Sequence, residues 1–353
     1  MAKVSYADAI AQALFDGAYD DKQVLFLAEG AKDPSPVFGT LPTANGLDPR
    51  RRIEMPTAEN AILGAAVGLA MNGYRPVVSF HRVEFALLAM EQIVDNLAKL
   101  PWISGGRHRC PVLVRLVVGR GWGQGPVHAQ SLEAMFAGIP GLSVTMPVTP
   151  QDAYSLTRWA LLEDGPVIQI ESRWCHGLVD EVDPLVTADD QSLVAHGEAL
   201  TIVASGYAAI EARHAADVLK RLGHAPDLID LKMLRPLRLR AVFESLRRTG
   251  RLLVVDTGHV AGGIGAEVVA QATAECLAVL KAPPRRLGLG ADFVPSSRHQ
   301  VPGLYPTAAE IYRAATGMLP LAGAELLDAA EFARDLRPKG PIDQPDPGFK
   351  GPF

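Results

Sequence analysis

Short apolar runs alternate along the chain with segments of helical periodicity, which is the pattern of parallel strands covered by helices on both faces. In the first half, this pattern predicts five strands and five helices. The strands are QVLFLAE (23–29), RPVVSF (75–80), CPVLVRLVV (110–118), LSVTMPV (142–148) and GPVIQIE (165–171), and the helices cover about 5–17, 58–72, 84–100, 131–138 and 150–163. The first half is therefore predicted to be an α/β unit.

The alternation breaks at 177–197, GLVDEVDPLVTADDQSLVAHG, an acidic and turn-rich stretch that is typical of a domain boundary. A second α/β unit follows, with predicted strands ALTIVAS (199–205), APDLIDL (225–231) and RLLVVD (251–256) and a helix at about 265–279. We predict domains at 1–185 and 186–335, each a mainly parallel sheet with helices on both faces. A Pro- and Gly-rich tail at 336–353 favours no packed element.

Composition narrows the classes of partner and site that the chain can have. The chain has 353 residues, 48% of them hydrophobic, and its net charge of −5 is spread without a basic block, which argues against a nucleic-acid partner. Cys110, Cys175 and Cys276 fit neither a disulfide framework nor a zinc pattern. The sequence shows no leader pattern and no apolar stretch of about 18 residues, so we expect a soluble, cytoplasmic protein.

Glu59 is the first candidate for chemistry, because it opens a predicted helix whose body is small and apolar. Such a helix favours close approach of another backbone, and a tight contact between subunits would bury the acid. Burial raises the pKa of a carboxylate towards neutrality, which would suit Glu59 to relay a proton. In the alternative interpretation, Thr57 caps the helix and Glu59 only complements its dipole. The small residues of the helix are Gly64, Ala65, Ala66, Gly68 and Ala70.

Six linked motifs resemble one family over about residues 5–315. They are MPTAENAILGAAVGLAMNGYRPVVSF, FALLAMEQIVDNLAK, SGG (104–106), GPVHAQSLEAMFAGIPGLSV, PVTPQDAYSLTRWALLEDGPVIQIE and DLKMLRPLRLRAVFESLRRTGRLLVVD. The family comprises beta subunits of the thiamine diphosphate-dependent decarboxylase component of 2-oxo acid dehydrogenases. The resemblance implies a pyrimidine-binding domain, a transketolase C-terminal domain, and an α2β2 heterotetramer with active sites between subunits.

The resemblance also assigns roles to single residues. Glu59 matches the acid that hydrogen-bonds N1′ of the aminopyrimidine and activates the cofactor, and Phe85 matches the aromatic that stacks on this ring. His128, in GWGQGPVHAQS, matches a loop histidine associated with substrate binding and acyl transfer to a lipoyl group, and Glu29 matches an active-site acid. The alternatives are a core Phe, an exposed loop His and a surface Glu.

Cations and partners follow from the same resemblance. The sequence contains no GDG motif, so the diphosphate and Mg2+ are expected to be held by an alpha subunit that carries it. A lipoyl acyltransferase would be a further partner. Carbonyls of Val112, Ala160, Leu161, Glu163 and Gly165 match a structural potassium site of some members, although LLEDG departs from the usual R-D-x-N there.

Other departures concern the substrate. KLPWISGG, Val127, His81 and Arg82 differ from common family residues near the active-site mouth, which argues against plain pyruvate. The substrate is expected to be a small 2-oxo acid. One alternative is the C-terminal half of a split transketolase, which transfers a two-carbon ketol unit, and another is a scaffold subunit without catalysis. The presence of Glu59 argues against the scaffold.

Overall fold

The computed structural model describes residues 3–42, 47–120, 123–184 and 191–336. The strands of the first half are β1 (Lys3–Ser5), β2 (Val24–Ala28), β3 (Arg52–Glu54), β4 (Arg75–Phe80), β5 (Leu113–Val118), β6 (Ser143–Thr145), β7 (Val167–Ser172) and β8 (Val179–Glu181). Its α-helices are α1 (Tyr6–Asp20), α2 (Glu59–Met71), α3 (Leu100–Ile103), α4 (Gly125–His128), α5 (Glu133–Ala137) and α6 (Pro150–Leu162). The predicted domain boundary at 185/186 and the tail from 337 onward lie outside the described residues.

The second half has the same alternating character. Its strands are β9 (Gln191–Ala195), β10 (Thr201–Ala204), β11 (Asp227–Leu231), β12 (Met233–Arg235), β13 (Leu252–His259) and β14 (Arg285–Leu289). Its α-helices are α7 (Tyr207–Arg221), α8 (Arg240–Thr249), α9 (Ile264–Cys276), α10 (Ala308–Thr316) and α11 (Ala324–Phe332). The predicted strands of both halves are all present, with ends that differ by a few residues.

Two mainly parallel sheets confirm the predicted α/β class. The first has the order β12-β6-β7-β5-β4-β2-β3, and only β12 is antiparallel to its neighbour. The second has the order β14-β13-β10-β11-β9, with β9 antiparallel. Because β12 comes from the second half but pairs with β6, the two halves share one sheet. A third, two-stranded sheet pairs β1 with β8.

Apolar clusters cover both faces of the first sheet. On one face, α1 buries Ile10, Leu14 and Ala18 in a cluster shared with α6, as the i, i+4, i+8 spacing of these residues predicts. On the other face, Ile62 and Leu63 of α2 join a cluster that continues to the second sheet. Both halves therefore contribute to a continuous core. Among the described residues, no helix is long and apolar enough to cross a lipid bilayer.

The segment predicted as a helix at 84–100 is helical, but it is not one regular α-helix. A 3-10 helix runs from Val83 to Ala89, a π-helical turn covers Gln92–Leu97, and α3 follows. Val83, Ala86 and Ala89 are buried at a spacing of three, which is the repeat of a 3-10 helix. The chain thus changes its helical period so that successive apolar residues remain against the sheet.

Candidate active site

Four of the predicted site residues lie at one edge of the first sheet. Strands β3, β2, β4 and β5 are parallel neighbours, so their carboxyl ends meet at the same edge. Glu29 directly follows β2, Phe85 follows β4, His128 lies in the segment after β5, and Glu59 begins the helix after β3. Ligand sites of parallel α/β sheets lie at this edge.

Glu59 is buried at the start of α2, with 8% of its surface exposed. The alternative interpretation, in which Thr57 caps this helix, is wrong: Ala58 is the N-cap residue, and the Thr57 hydroxyl donates instead to Glu29 Oε1 at 2.8 Å. Within the described part of the chain, the Glu59 carboxylate has no hydrogen-bond partner. An acceptor without a partner in the described part of the chain, at the positive end of a helix, is available to a donor from outside the chain.

His128 is fixed by a buried acid and an aromatic ring. Its Nδ1 lies 2.5 Å from Glu84 Oε1, and its ring meets that of Phe85 edge to face with centroids 5.9 Å apart. The Glu84 side chain is 5% exposed, whereas that of His128 is 40% exposed. A carboxylate accepts, so Nδ1–H donates to Glu84 and Nε2 is left for a proton or a ligand.

The sequence pattern does not single out Glu84. An acid early in a helical segment usually complements the helix dipole at the surface, and Glu84 occupies such a position before Phe85. Its burial is the distinguishing feature, because a buried carboxylate requires a donor or a cation. His128 supplies that donor.

Two of the predicted departures, His81 and Arg82, lie at the same edge, directly after β4. The half-buried His81 ring meets Phe38 edge to face with centroids 5.4 Å apart. Burial lowers the pKa of His81, and the charges of Glu29 and Asp33 oppose this shift. Burial likewise lowers the pKa of Arg82. Burial therefore disfavours the charged form of both side chains.

The carbonyls expected to bind potassium meet an arginine instead. Arg75 Nη1 donates to Leu161 O at 3.1 Å and to Glu163 O at 2.8 Å, while its Nη2 lies 3.2 Å from Asp164 Oδ1. These carbonyls end α6, where the helix dipole is negative. Because a guanidinium of the same charge already contacts two of the expected ligands, these residues do not fit a potassium ion.

The other expected potassium ligands lie in separate elements. Val112 O accepts the backbone N–H of Val167 at 3.0 Å, so it belongs to the hydrogen bonding of the sheet. Ala160 lies within α6, and Gly165 lies in the turn before β7. Across residues 3–42, 47–120, 123–184 and 191–336, no cluster of three His, Cys, Asp or Glu side chains could hold a metal ion.

Comparison with known proteins agrees with this architecture. Residues 2–174 match the pyrimidine-binding domain of transketolase, and residues 191–311 match the transketolase C-terminal domain. The chain is 33% identical over 301 residues to the 2-oxoisovalerate dehydrogenase subunit beta of Bacillus subtilis, covering 83% of this chain and 91% of that protein. It is 32% identical over 323 residues to the beta subunit of acetoin:2,6-dichlorophenolindophenol oxidoreductase of Cupriavidus necator, covering 88% and 93%.

A solved structure supports the fold. The chain resembles one described as "Split gene transketolase, inactive beta4 tetramer" with a TM-score of 0.72 and 23% identity, over 90% of this chain and 99% of that chain. At this identity the likeness concerns the fold alone. The sequence relatives establish the family as well as the fold, because each matches at more than 30% identity over most of its length. The chain therefore belongs to the family of 2-oxo acid dehydrogenase beta subunits, in which a transketolase pyrimidine-binding domain precedes a transketolase C-terminal domain.

Proposed function

We propose that this chain is the beta subunit of a thiamine diphosphate-dependent 2-oxo acid dehydrogenase, in which Glu59 activates the cofactor. The observation that carries the proposal is the buried Glu59 carboxylate, which lacks a partner among the described residues and starts α2 at the carboxyl edge of the sheet. A carboxylate in this state is suited to hydrogen-bond a protonated ring nitrogen. Membership of the family supports thiamine diphosphate as the source of that ring.

Each candidate residue at this edge has its own role in the proposed reaction. Bound thiamine diphosphate supplies the electron sink that decarboxylation of a 2-oxo acid requires. Glu59 would accept a hydrogen bond from the aminopyrimidine and exchange a proton with it. Phe85, half-buried beside His128, offers a flat apolar face for that ring. With Nδ1 bound to Glu84, His128 holds or releases a proton at Nε2, where substrate and acyl acceptor would meet.

A second chain must complete the site. The sequence lacks a GDG motif, and the part of the chain that the structure describes offers no cluster for a metal ion. Mg2+ and a diphosphate need hard oxygen ligands close together. On the segment between β4 and β5, Leu88, Trp102 and Ile103 expose large apolar surfaces, which soluble proteins usually cover with a partner. We propose an alpha subunit for this position, in an α2β2 assembly, with a lipoyl acyltransferase as the acyl acceptor.

Calorimetry tests whether the cofactor site needs a second chain. The purified chain, titrated with thiamine diphosphate and Mg2+, should bind weakly, because ring stacking and one carboxylate hydrogen bond omit the charge-assisted contacts to the diphosphate. Addition of an alpha chain that carries GDG should produce tight binding and release of CO2 from 2-oxo acids. Micromolar binding by the chain alone would show a complete site within it and would contradict the proposal.

The substrate panel should include two other classes. The Cupriavidus relative is named for acetoin, and the Arg82 guanidinium at the same edge is a cation that a ketose phosphate would also suit. Turnover of acetoin with an artificial electron acceptor, but not of 2-oxo acids, would reassign the substrate within the family. Transfer of a ketol unit between sugar phosphates would favour the split transketolase. Branched and straight 2-oxo acids with a lipoyl acceptor are the expected substrates.

A further inference from the structure

The loop that carries His128 is held by residues of the second half. Ala129, next to His128, is buried in an apolar cluster, and Ser131 Oγ donates to Glu133 Oε2 at 2.8 Å. Position 128 therefore depends on how the second half packs against this loop. The other buried residues of the cluster are Leu289, Val294, Val301 and Tyr305.

Glu133 makes the polar part of this contact. It is the first residue of α5, only 1% exposed, and its carboxylate lies on the backbone of β13. A Cβ atom at Gly258 would come within 2.1 Å of Glu133 Oε1, so a side chain at that position would displace the acid. Glycine at position 258 is what allows the acid of one half to reach the strand of the other.

Asp256 is the second acid of the contact and is held by three donors. Its Oδ1 accepts from Ser205 Oγ at 2.9 Å and from the backbone N–H of Gly258 at 3.4 Å, and its Oδ2 accepts from the N–H of Gly265 at 3.2 Å. Gly265 lies in the first turn of α9, where the helix dipole is positive. These contacts hold the Asp256 carboxylate in one position.

Two effects act in the same direction on Glu133. Burial, first, and the charge of Asp256, second, raise the pKa of Glu133 to about 7, while the hydrogen bond from Ser131 opposes the shift. Two carboxylates in one buried site favour a single shared proton.

Among the described residues, the charged groups on neighbouring elements make other contacts, although Arg120 lines the same cavity as Asp256. Arg120, from the loop after β5, stacks on the rings of Trp174, Tyr207 and Tyr305. On β12, Arg235 donates to Ala137 O. Glu267 of α9 is exposed, and His259 of β13 contacts Gly290 O through its Nδ1.

We propose that Glu133 and Asp256 share one proton across the two halves of the chain and that this pair positions the loop carrying His128. The role of His128 rests on the proposed function, whereas the pair stands on its own contacts. When the contact opens, water reaches Glu133 and its pKa returns towards the ordinary value of 4.5. Opening then releases a proton, so it becomes easier as the pH rises from about 4.5 to 7, by up to about tenfold per unit, and levels off above 7.

Hydrogen exchange on the purified full-length chain tests the proposal. Amides of residues 123–133, measured from pH 5 to pH 8 and corrected for their intrinsic rates, should exchange faster up to pH 7 and then reach a plateau. Glu133→Gln, which cannot ionise, should abolish this dependence. Glu267→Gln, the matched control on the exposed side of α9, should retain it. A dependence unchanged in Glu133→Gln, or absent from the wild type, would overturn the proposal.

A second variant covers the case in which Glu133→Gln does not fold. Asp256→Asn keeps an oxygen acceptor but removes the charge that opposes ionisation of Glu133, so the plateau should begin at lower pH. An unshifted plateau would contradict the pair. Exchange requires neither cofactor, partner nor turnover, so these results are independent of whether the chain acts on 2-oxo acids. In an active assembly, Glu133→Gln should also alter the pH profile of kcat.

Discussion

Glu84 Oε1 lies 2.5 Å from His128 Nδ1, although the two residues follow different strands and are 44 residues apart in the chain. The acid is buried and the imidazole is partly exposed, so the pair has a fixed end and an accessible end. This arrangement selects one tautomer of His128 and directs the other ring nitrogen away from the acid. Glu84 is thus a positioning residue, while His128 is the group that meets the substrate in the proposed function.

Replacement of Glu84 should reduce turnover in proportion to the loss of this acceptor. Glu84→Ala removes the contact and should lower kcat by about 10²-fold, whereas Glu84→Gln retains an oxygen acceptor and should cost about tenfold. Steady-state assays of the assembled enzyme measure both. Glu91→Gln, an exposed acid of the same segment, is the control. Equal activity of Glu84→Ala and wild type would remove Glu84 from the site.

Glu59→Gln should leave assembly intact and lower turnover by about 10² to 10⁴-fold, because the amide cannot exchange a proton with the cofactor ring. Gel filtration with the alpha chain checks assembly, and calorimetry separates a loss of cofactor binding from a loss of activation. Near-normal turnover in this variant would falsify the role of Glu59 as activator. Loss of assembly would instead indicate that the buried carboxylate supports the interface.

The strands could be predicted because buried parallel strands are continuous apolar runs, and RPVVSF is found as β4 without error. The segment after it could not, because its buried residues change spacing from three to four between Ala89 and Ile93. An apolar pattern that is assumed to have one period throughout predicts a single helix there. Thr57 illustrates a further limit: a hydroxyl before a helix is an ordinary cap, and only the fold brings it to Glu29.

Residues of the candidate site could be predicted from the sequence only where a family motif contains them. Glu59 and His128 stand in motifs of the family, but Glu84 and Glu133 contact partners that are distant in the sequence. A contact such as that of Glu133 with Gly258 depends on how two sheets pack, which local periodicity does not encode. The same holds for Arg75, whose role becomes visible only where β4 passes the end of α6.

The exposed face of α2 should bind another subunit. Ala61, Ala65 and Gly68 are exposed at helical spacing, and a Cβ atom at Gly68 meets nothing within 4 Å in this chain. Gly68→Leu should therefore leave the isolated chain folded but weaken assembly by about 1 to 3 kcal/mol per site. Gel filtration and melting curves of each variant measure the two effects. Gly68→Ala, which removes the glycine with little bulk, is the control, and normal assembly of Gly68→Leu would exclude this face.

Arg75 should make the stability of the chain independent of potassium. Its guanidinium donates to Leu161 O and Glu163 O and pairs with Asp164, so the negative end of α6 is already neutralised. Melting temperatures of the wild type should agree in KCl and NaCl at equal ionic strength. Arg75→Ala leaves these carbonyls without their donor and should lower the free energy of unfolding by about 2 to 4 kcal/mol.

Arg109→Ala is the matched control for this prediction, because Arg109 also pairs with Asp164, at 2.5 Å, but is 71% exposed. An exposed ion pair contributes about 0 to 1 kcal/mol, so this variant should melt close to the wild type. If the carbonyls that end α6 form a true cation site, potassium should restore part of the stability of Arg75→Ala where sodium does not. Two results would contradict the assignment: a potassium-specific rise in the melting temperature of the wild type, or equal costs for Arg75→Ala and Arg109→Ala. The first would mean that the ion binds beside the guanidinium. The second would mean that the two carbonyl contacts, together with the ion pair between Arg75 and Asp21 at 3.4 Å, contribute nothing beyond the ion pair with Asp164.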